Sequence, residues 1–172
     1  MALQTCEVRF DGGILRRGFW LYTWEITPPR GEALYYVGRT GDSSSTNAQS
    51  PFNRMGQHLG FAKTGNMLRQ HLLKQPVEPE RCRFRLIALG PLDAESKATA
   101  RHEHDQRRDV MAAMEKALAE LIIAAGCRVM NVVTSRKPLD AERFAKVRAA
   151  FARALPALAT PRLDRLKAPV SG

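Results

Sequence analysis

Two runs of sequence decide the fold of this chain: GFWLYTWEI at residues 18–26 and ALYYV at residues 33–37. Both are dense in aromatic and β-branched residues, which favour β-strands. The segment TPPRGE between them, at residues 27–32, has the proline and glycine content of a turn. We therefore expect an antiparallel hairpin, with Gly38 ending its second strand.

Helical and extended patterns alternate after the hairpin. Apolar residues recur every three or four positions in the expected helices, and Pro76 and Pro79 separate the second helix from a third strand. Gly90 and Pro91 are expected to end that strand, and Asp93 to cap the helix that follows. This order predicts an α+β fold, in which a small antiparallel or mixed three-stranded sheet is flanked by helices. The expected elements are helices from 51, over 66–74, over 94–125 and after Asp140, and extended segments over 83–89 and 127–133.

Composition limits the classes of function. The 172 residues include 27 Lys and Arg against 17 Asp and Glu, a net charge of +10, which favours a polyanionic partner such as DNA. Apolar residues make up 44% of the chain, too many for a disordered protein. The three cysteines lie far apart with no CxxC pair, which excludes a zinc finger and fits a cytoplasmic protein. No apolar run is long enough to span a membrane, so no membrane partner is expected.

The chain divides into three parts. An N-terminal segment, 1–14, precedes a single domain over 15–135, and residues 136–172 form a basic C-terminal helix and tail. The basic side chains of this last part are expected to grip the backbone phosphates of DNA. They are Arg143, Lys146, Arg148, Arg153, Arg162, Arg165 and Lys167.

A group of residues with chemical potential follows the hairpin. Tyr36-Val37-Gly38 is separated by a polar loop from Arg54 and His58. Positions four apart lie on one face of a helix, so Arg54 and His58 can both point at one site. Without that context, the tyrosines of the hairpin would be ordinary core aromatics.

This pattern resembles the GIY-YIG nuclease superfamily, in which strands ending in Gly-Ile-Tyr and Tyr-Ile-Gly precede an arginine and often a histidine four residues later. Here Tyr36-Val37-Gly38 is a conservative variant of the second motif. The first motif departs, because Trp20-Leu21-Tyr22 stands where the family has Gly-Ile-Tyr. A rival register, Gly18-Phe19-Trp20, keeps the glycine and loses the phenol. We prefer Tyr22, which retains the hydroxyl and leaves a more usual hairpin length.

The resemblance implies a GIY-YIG-like fold and a metal-dependent endonuclease that hydrolyses DNA phosphodiester bonds with Mg²⁺ or Mn²⁺. Tyr22 would act as general base or orient the attacking water, and Tyr36 would share its hydrogen-bond network. Arg54 would clamp the phosphate, and His58 would orient Tyr22 or assist proton transfer. Arg39 would add a phosphate contact.

The family also places one metal-binding glutamate on a later helix, followed by an asparagine. Asn131 fits the asparagine, and with Gly38 it would belong to the structural part of the site. The acid is one of Glu103, Glu115 and Glu120. A helix advances about 100° per residue, which puts Glu115 roughly 90° from the centre of the apolar stripe, at its rim, and Glu120 farther into solvent. We select Glu115 and keep Glu103 in reserve; without the resemblance, Glu115 would be a surface ion-pair residue.

Two alternatives stay open. The altered first motif is compatible with a catalytically weak or inactive nucleic-acid-binding module of the same fold, and the charge alone is compatible with a basic RNA-binding protein. The sequence HEHD at 102–105 resembles a metal site, but adjacent helical residues fan out, so a solvated polar face is expected. No targeting domain is recognisable, so target choice is expected to come from loops, the tail, a homodimer partner or a separate protein.

Overall fold

The computed structural model describes residues 5–42, 45–61, 65–97 and 99–158, and it confirms the α+β class and the expected order of elements. The strands are β1 (Phe19–Thr27), β2 (Leu34–Arg39), β3 (Arg83–Asp93) and β4 (Arg128–Val129). The helices are α1 (Pro51–Leu59), α2 (Met67–Leu73), α3 (Arg101–Ala124) and α4 (Ala141–Ala154). Within the described ranges, no helix combines the length and the apolar character that crossing a membrane requires.

One sheet, with strand order β3-β1-β2-β4, forms the middle of the fold. β1 and β2 pair antiparallel as the expected hairpin, and β3 pairs antiparallel with the other edge of β1. The expectation of three strands is wrong, because the short strand β4 pairs parallel with β2. It supplies backbone partners to the open edge of β2, where the Met130 N–H donates to the Tyr35 carbonyl at 2.8 Å.

Both faces of the sheet are buried. Odd-numbered residues of β1, such as Phe19 and Leu21, pack against α3 and α4, whereas even-numbered ones pack against α1 and α2. The first half of β1 is accordingly aromatic and apolar on both faces, whereas the second half, TWEIT at residues 23–27, alternates polar and apolar residues. Tyr22 and Tyr36 therefore lie on the α1 side of the sheet.

Helices α1 and α4 begin at side-chain caps. The Ser50 hydroxyl accepts a hydrogen bond from the Asn53 N–H at the start of α1, and Pro51 fits the first turn, where its missing N–H is not needed. The expected cap at Asp140 is confirmed, since its carboxylate accepts from the Arg143 N–H at 2.9 Å. These caps fix the direction in which α1 and α4 leave the loops.

Two expected boundaries near residue 90 are wrong. β3 continues through Asp93 instead of ending at Leu89, because Phe19 of β1 still pairs with Asp93 beyond an irregularity in the register. Gly90 accommodates the irregularity with a φ of 153°, which side-chain-bearing residues rarely adopt. Asp93 therefore lies in a strand rather than capping a helix, and α3 begins only at Arg101.

The expected solvated face at residues 102–105 is interrupted by a buried histidine. His104 is fully buried, with its ring centroid 5.2 Å from that of Phe19. It lies on the same stripe of α3 as the buried Met111 and Leu118, so helix packing, rather than polarity, decides its environment. Neither ring nitrogen has a hydrogen-bond partner among the described residues.

The basic helix α4 is tied to the sheet by charge as well as by apolar contacts. Arg143 donates to the Asp93 carboxylate at 2.6 Å, and Lys146 forms an ion pair one turn along its own helix at 3.0 Å. Two of the four α4 cations expected to bind DNA are thus engaged within the fold, whereas Arg148 and Arg153 are exposed. Three further expected contacts lie outside the described residues: Arg162, Arg165 and Lys167.

Candidate active site

The centre of the candidate site is a contact between β1 and α1. The Tyr22 hydroxyl lies 2.7 Å from His58 Nε2, within hydrogen-bond distance. Tyr22 faces α1 from the middle of β1, and His58 lies in the last turn of that helix. Both residues are only 1% exposed. The two side chains to which the resemblance gives proton transfer are therefore in direct contact.

Gly38 makes room for the Tyr22 phenol. The two residues pair across β1 and β2, and a Cβ at position 38 would lie 2.5 Å from ring carbons of Tyr22. Without a side chain at position 38, the ring can lie across β2. Trp20, the residue of the rival register, points elsewhere: its indole N–H donates to the Arg16 carbonyl at 3.0 Å, and its ring lies against Gly90.

Tyr36 lies beside the same histidine. Its ring centroid is 5.2 Å from that of His58 and 5.7 Å from that of His71 on α2. Burial, together with the negative charge of Glu115, raises the pKa of the Tyr36 phenol to about 12. The sequence analysis did not single out His71, whose one signal is its place three residues after the buried Leu68, near the packed face of α2.

Arg54 lies one turn before His58, and its guanidinium meets a carboxylate that the sequence analysis missed. Its Nη2 donates to Asp42 Oδ2 at 3.0 Å, while its Nε is buried without a partner in the described part of the chain. Asp42 follows β2 after Gly41, whose φ of 75° makes a left-handed turn. An acid just beyond the Tyr-Val-Gly strand is the sequence signal that could have found it. A polar cavity of about 130 Å³ opens beside the pair.

Arg39 and Glu115 form a second ion pair, which joins β2 to α3. Arg39 Nε donates to Glu115 Oε2 at 2.8 Å, and its Nη1 donates to the Arg108 carbonyl at 3.0 Å. The two side chains are only 17% and 16% exposed. Glu115 thus lies at the rim of the buried face of α3, in a partly buried ion pair rather than a surface one.

The other two acidic candidates on α3 lie away from this pair. Glu103 is exposed and pairs with Arg107 at 3.4 Å. It is about 18 Å along the helix from Glu115, at about 1.5 Å per residue. Glu120 pairs with Lys116 at 3.6 Å near solvent. Of the three carboxylates, Glu115 is the one in contact with a site residue.

Asn131 forms two hydrogen bonds with the open edge of β2. Its side-chain oxygen accepts from the Val37 N–H at 3.0 Å, and its amide N–H donates to the Val37 carbonyl at 2.8 Å. These two bonds satisfy the N–H and C=O of Val37 on the side where β4 pairs only with Leu34 and Tyr35 among the described residues. Asn131 therefore supports the strand that carries Tyr36 and Gly38.

Burial keeps the central phenol and imidazole uncharged. It raises the pKa of the Tyr22 phenol well above its usual value, although the positive charge of Arg54 opposes the rise. Burial, reinforced by Arg54, lowers the pKa of His58 to about 4. Burial also raises the pKa of Glu115, and Arg39 limits that rise. At neutral pH, the Tyr22–His58 pair is therefore neutral on both sides.

Hard oxygen ligands for a divalent cation are present at the rim. Glu115 is the central carboxylate, and the negative charge of Asp42 is close enough to contribute to the raised pKa of Glu115. No group of three His, Cys, Asp or Glu side chains converges within the described ranges, so they hold no preformed protein cage. The donor set fits Mg²⁺ or Mn²⁺ bound by one or two carboxylates, with water and substrate oxygens completing the shell.

No protein-family model, curated protein or solved structure matches this chain. The candidate site consists of three pairs: Tyr22 with His58, Arg54 with Asp42, and Arg39 with Glu115. The charge of Glu115 acts on the pKa of Tyr36, and the charges of Arg54 and Asp42 act on that of Glu115, so the third pair lies within electrostatic range of the others. Such a set can move a proton and bind an anionic group.

Proposed function

We propose that this chain is a metal-dependent endonuclease that hydrolyses DNA phosphodiester bonds at a GIY-YIG-like site. The observation that carries the proposal is the 2.7 Å contact between Tyr22 and His58, with Arg54 one turn away on the same helix. The net charge of +10 supports a polyanionic substrate. The resemblance of the tyrosine motifs to that superfamily supports DNA cleavage in particular.

The central pair favours a proton relay over a tyrosinate base. The raised pKa of Tyr22 disfavours the phenolate, and the lowered pKa of His58 leaves its imidazole neutral, with a lone pair that can accept a proton, although burial and Arg54 make it a weak base. As the attacking water gives its proton to the Tyr22 oxygen, Tyr22 passes its own to His58 Nε2. This direction requires the tautomer with the proton on Nδ1. His58 later returns the proton through Tyr22 to the leaving oxygen of the cleaved strand or to solvent, so the pair ends each turnover as it began.

The two arginines supply positive charge where negative charge develops. A planar guanidinium can bind two phosphate oxygens at once, and the site has two guanidiniums, Arg54 on α1 and Arg39 at the end of β2. Glu115 would hold the divalent cation, which when bound supplies Lewis-acid stabilisation of a non-bridging oxygen. Each residue then has one role: the phenol and imidazole move a proton, and the arginines hold the phosphate.

A plasmid-nicking assay tests the proposal. The full chain should convert supercoiled DNA to nicked or linear forms with Mg²⁺ and should stop when EDTA is added. Glu115→Gln should abolish cleavage while DNA affinity stays within about threefold, because metal binding rather than DNA binding is lost. Glu103→Gln is the matched control on the same helix and should cleave normally. Cleavage that resists EDTA, or that survives in Glu115→Gln, contradicts the assigned metal site.

A nucleic-acid-binding module of the same fold without turnover is the second candidate, and one observation favours it. Tyr22 is 1% exposed and Glu115 is paired with Arg39, so neither faces free solvent. This candidate expects tight gel shifts, weakened by Arg54→Ala and not by Tyr22→Phe, with no nicking under any divalent metal. Parallel gel shifts on DNA and RNA of equal length decide whether such a module prefers RNA.

A further inference from the structure

Both arginines of the site are held by carboxylates. Arg39 contacts Glu115 at 2.8 Å, and Arg54 contacts Asp42 at 3.0 Å. Each guanidinium and each carboxylate of these two pairs is thus already bound to an opposite charge within the described part of the chain.

The two pairs differ in how firmly they are held. Asp42 is 39% exposed, so solvent and a phosphate can compete for Arg54 from outside. Arg39 and Glu115 are 17% and 16% exposed, and Arg39 is also fixed by the Arg108 carbonyl. Removing one partner of such a buried pair leaves the other charge desolvated and unpaired, which is strongly unfavourable.

This burial means that neither ligand can bind well alone. A cation that approaches Glu115 meets the positive Arg39, and a phosphate that draws Arg39 away leaves Glu115 unpaired. When both ligands arrive, the guanidinium exchanges a carboxylate for a phosphate, and the carboxylate exchanges a guanidinium for a metal. The number of charge-assisted contacts is then conserved.

We propose that Arg39 couples the binding of metal to the binding of substrate: it occupies Glu115 in the free protein and transfers to the substrate phosphate, which opens Glu115 to the divalent cation. This inference rests on the proposed nuclease function and concerns the order in which that site fills. Metal and DNA then bind with positive cooperativity. Each tightens the binding of the other by about 5- to 150-fold, which is usual for coupled sites.

Metal binding without DNA tests the first half of the inference. Mn²⁺ is titrated into the full-length protein, and bound metal is measured by electron paramagnetic resonance. Arg39→Gln keeps a long polar side chain but removes the charge, so it should bind Mn²⁺ at least about tenfold more tightly than the parent. The double variant Arg39→Gln with Glu115→Gln should lose that gain.

The control separates this contact from general electrostatics. Arg108→Gln removes an equal charge from the same helix as Glu115, where Arg108 pairs with Asp105 at 3.1 Å, and should change Mn²⁺ affinity by less than about threefold. Thermal melts check that each variant folds. If Arg39→Gln fails to fold, Arg39→Lys replaces it. Lysine keeps the positive charge but loses the planar, two-pronged hydrogen bonding of the guanidinium, so the Mn²⁺ affinity of Arg39→Lys should lie between that of the parent and that of an unpaired carboxylate.

Coupling to DNA tests the second half. A short duplex with non-hydrolysable phosphate analogues should tighten Mn²⁺ binding by the parent, and Mn²⁺ should tighten DNA binding by the same factor. In Arg39→Gln, that factor should fall toward one. Unchanged Mn²⁺ affinity and unchanged coupling in Arg39→Gln would show a static ion pair and overturn the inference. These measurements need no cleavage, so a failure of nicking in the parent is read separately.

Discussion

At the residue scale, one hydrogen bond joins the two buried side chains at the centre of the site. Tyr22 and His58 each lose solvation, and each keeps the other as a partner. Because both are neutral near pH 7, the pair needs no counter-ion in the ground state. When a proton passes from Tyr22 to His58 it leaves an imidazolium, so a buried phenolate is avoided only if Tyr22 takes the proton of the attacking water in the same step.

Tyr22→Phe keeps the ring and removes the oxygen that contacts His58. We expect the free energy of unfolding to fall by about 1 kcal/mol, the loss of one hydrogen bond. Single-turnover cleavage should slow by about 10² to 10⁴, the range for a lost general base, while DNA affinity stays unchanged. Trp20→Phe is the control from the rival register and should cleave normally. Cleavage at the parental rate in Tyr22→Phe contradicts the relay.

Asp42→Asn keeps the shape of the side chain and removes the charge that neutralises Arg54. A phosphate then meets less competition for the guanidinium, so DNA affinity in gel shifts should rise by about two- to fivefold. Asp109→Asn is the control of equal charge, since Asp109 pairs with Lys137 at 2.6 Å and not with Arg54. Equal gains in the two variants would show that net charge, and not this contact, sets the affinity.

His58 should make stability fall in acid. Its pKa is lowered from 6.5 to about 4 on folding, so between those values the unfolded chain binds the proton that the folded chain does not. The free energy of unfolding therefore rises as pH increases through this window. As pH falls from 6.5 to 4, up to about 3 kcal/mol of it is lost. In His58→Gln, urea denaturation should show a flatter dependence between pH 4 and 6.5, whereas the exposed control His102→Gln should keep the parental slope.

At the scale of elements, the site depends on how closely β1, β2 and α1 approach. Gly38 and Gly56 differ in how much space surrounds them. A Cβ at Gly38 would lie 2.5 Å from the Tyr22 ring, whereas a Cβ at Gly56 of α1 would meet nothing within 4 Å. Gly38 is required by the close contact with Tyr22, whereas Gly56 has no such contact and only lowers the stability of α1.

Gly38→Ala should therefore lower the free energy of unfolding by about 1 to 3 kcal/mol, because the ring or the strand must shift. Gly56→Ala is the matched control and should raise it by about 0.5 to 1 kcal/mol, the gain of alanine over glycine inside a helix. Urea denaturation measures both. If Gly38→Ala is no less stable than Gly56→Ala, the close approach of Tyr22 to β2 is refuted.

At the scale of the whole molecule, internal ion pairs engage some of the cations without changing the net charge of +10. Arg17 pairs with Glu95, and Arg143 with Asp93, each at 2.6 Å, so these cations hold loops and α4 to the sheet. The exposed Arg148 continues the basic helix toward the C-terminal residues. DNA affinity is therefore expected to depend on the C-terminal cations as well as on the site.

Removing residues 159–172 takes away Arg162, Arg165 and Lys167 together with one acid, Asp164. If the three cations contact phosphates, the log–log salt slope of DNA binding should flatten by up to about 2.7, at about 0.9 per lost contact. Cleavage at saturating DNA should be unchanged, because none of the candidate site residues lies within 159–172. Fluorescence anisotropy across a salt series measures the slope, and an unchanged slope would exclude the tail from the DNA contact.

The sequence by itself predicted the order of the elements and proposed a set of candidate site residues. Strand and helix periodicities are local, so the aromatic runs predicted the hairpin, and a spacing of four put Arg54 and His58 on one face of α1. Among the three acids that the resemblance makes candidates, the apolar stripe of α3 favours Glu115 by the same local rule. These periodicities act within one element, whereas the resemblance groups residues of different elements into one site.

Only the tertiary structure decided which elements and side chains meet. β3 continues past Gly90 because Phe19 offers a pairing partner, and His104 is buried because α3 packs its stripe on the sheet. Arg39 and Glu115 are 76 residues apart, and no periodicity links positions on different elements. Ion pairs of this kind depend on how β2, α1 and α3 pack together, since packing sets both the distance between charges and the desolvation that makes them pair.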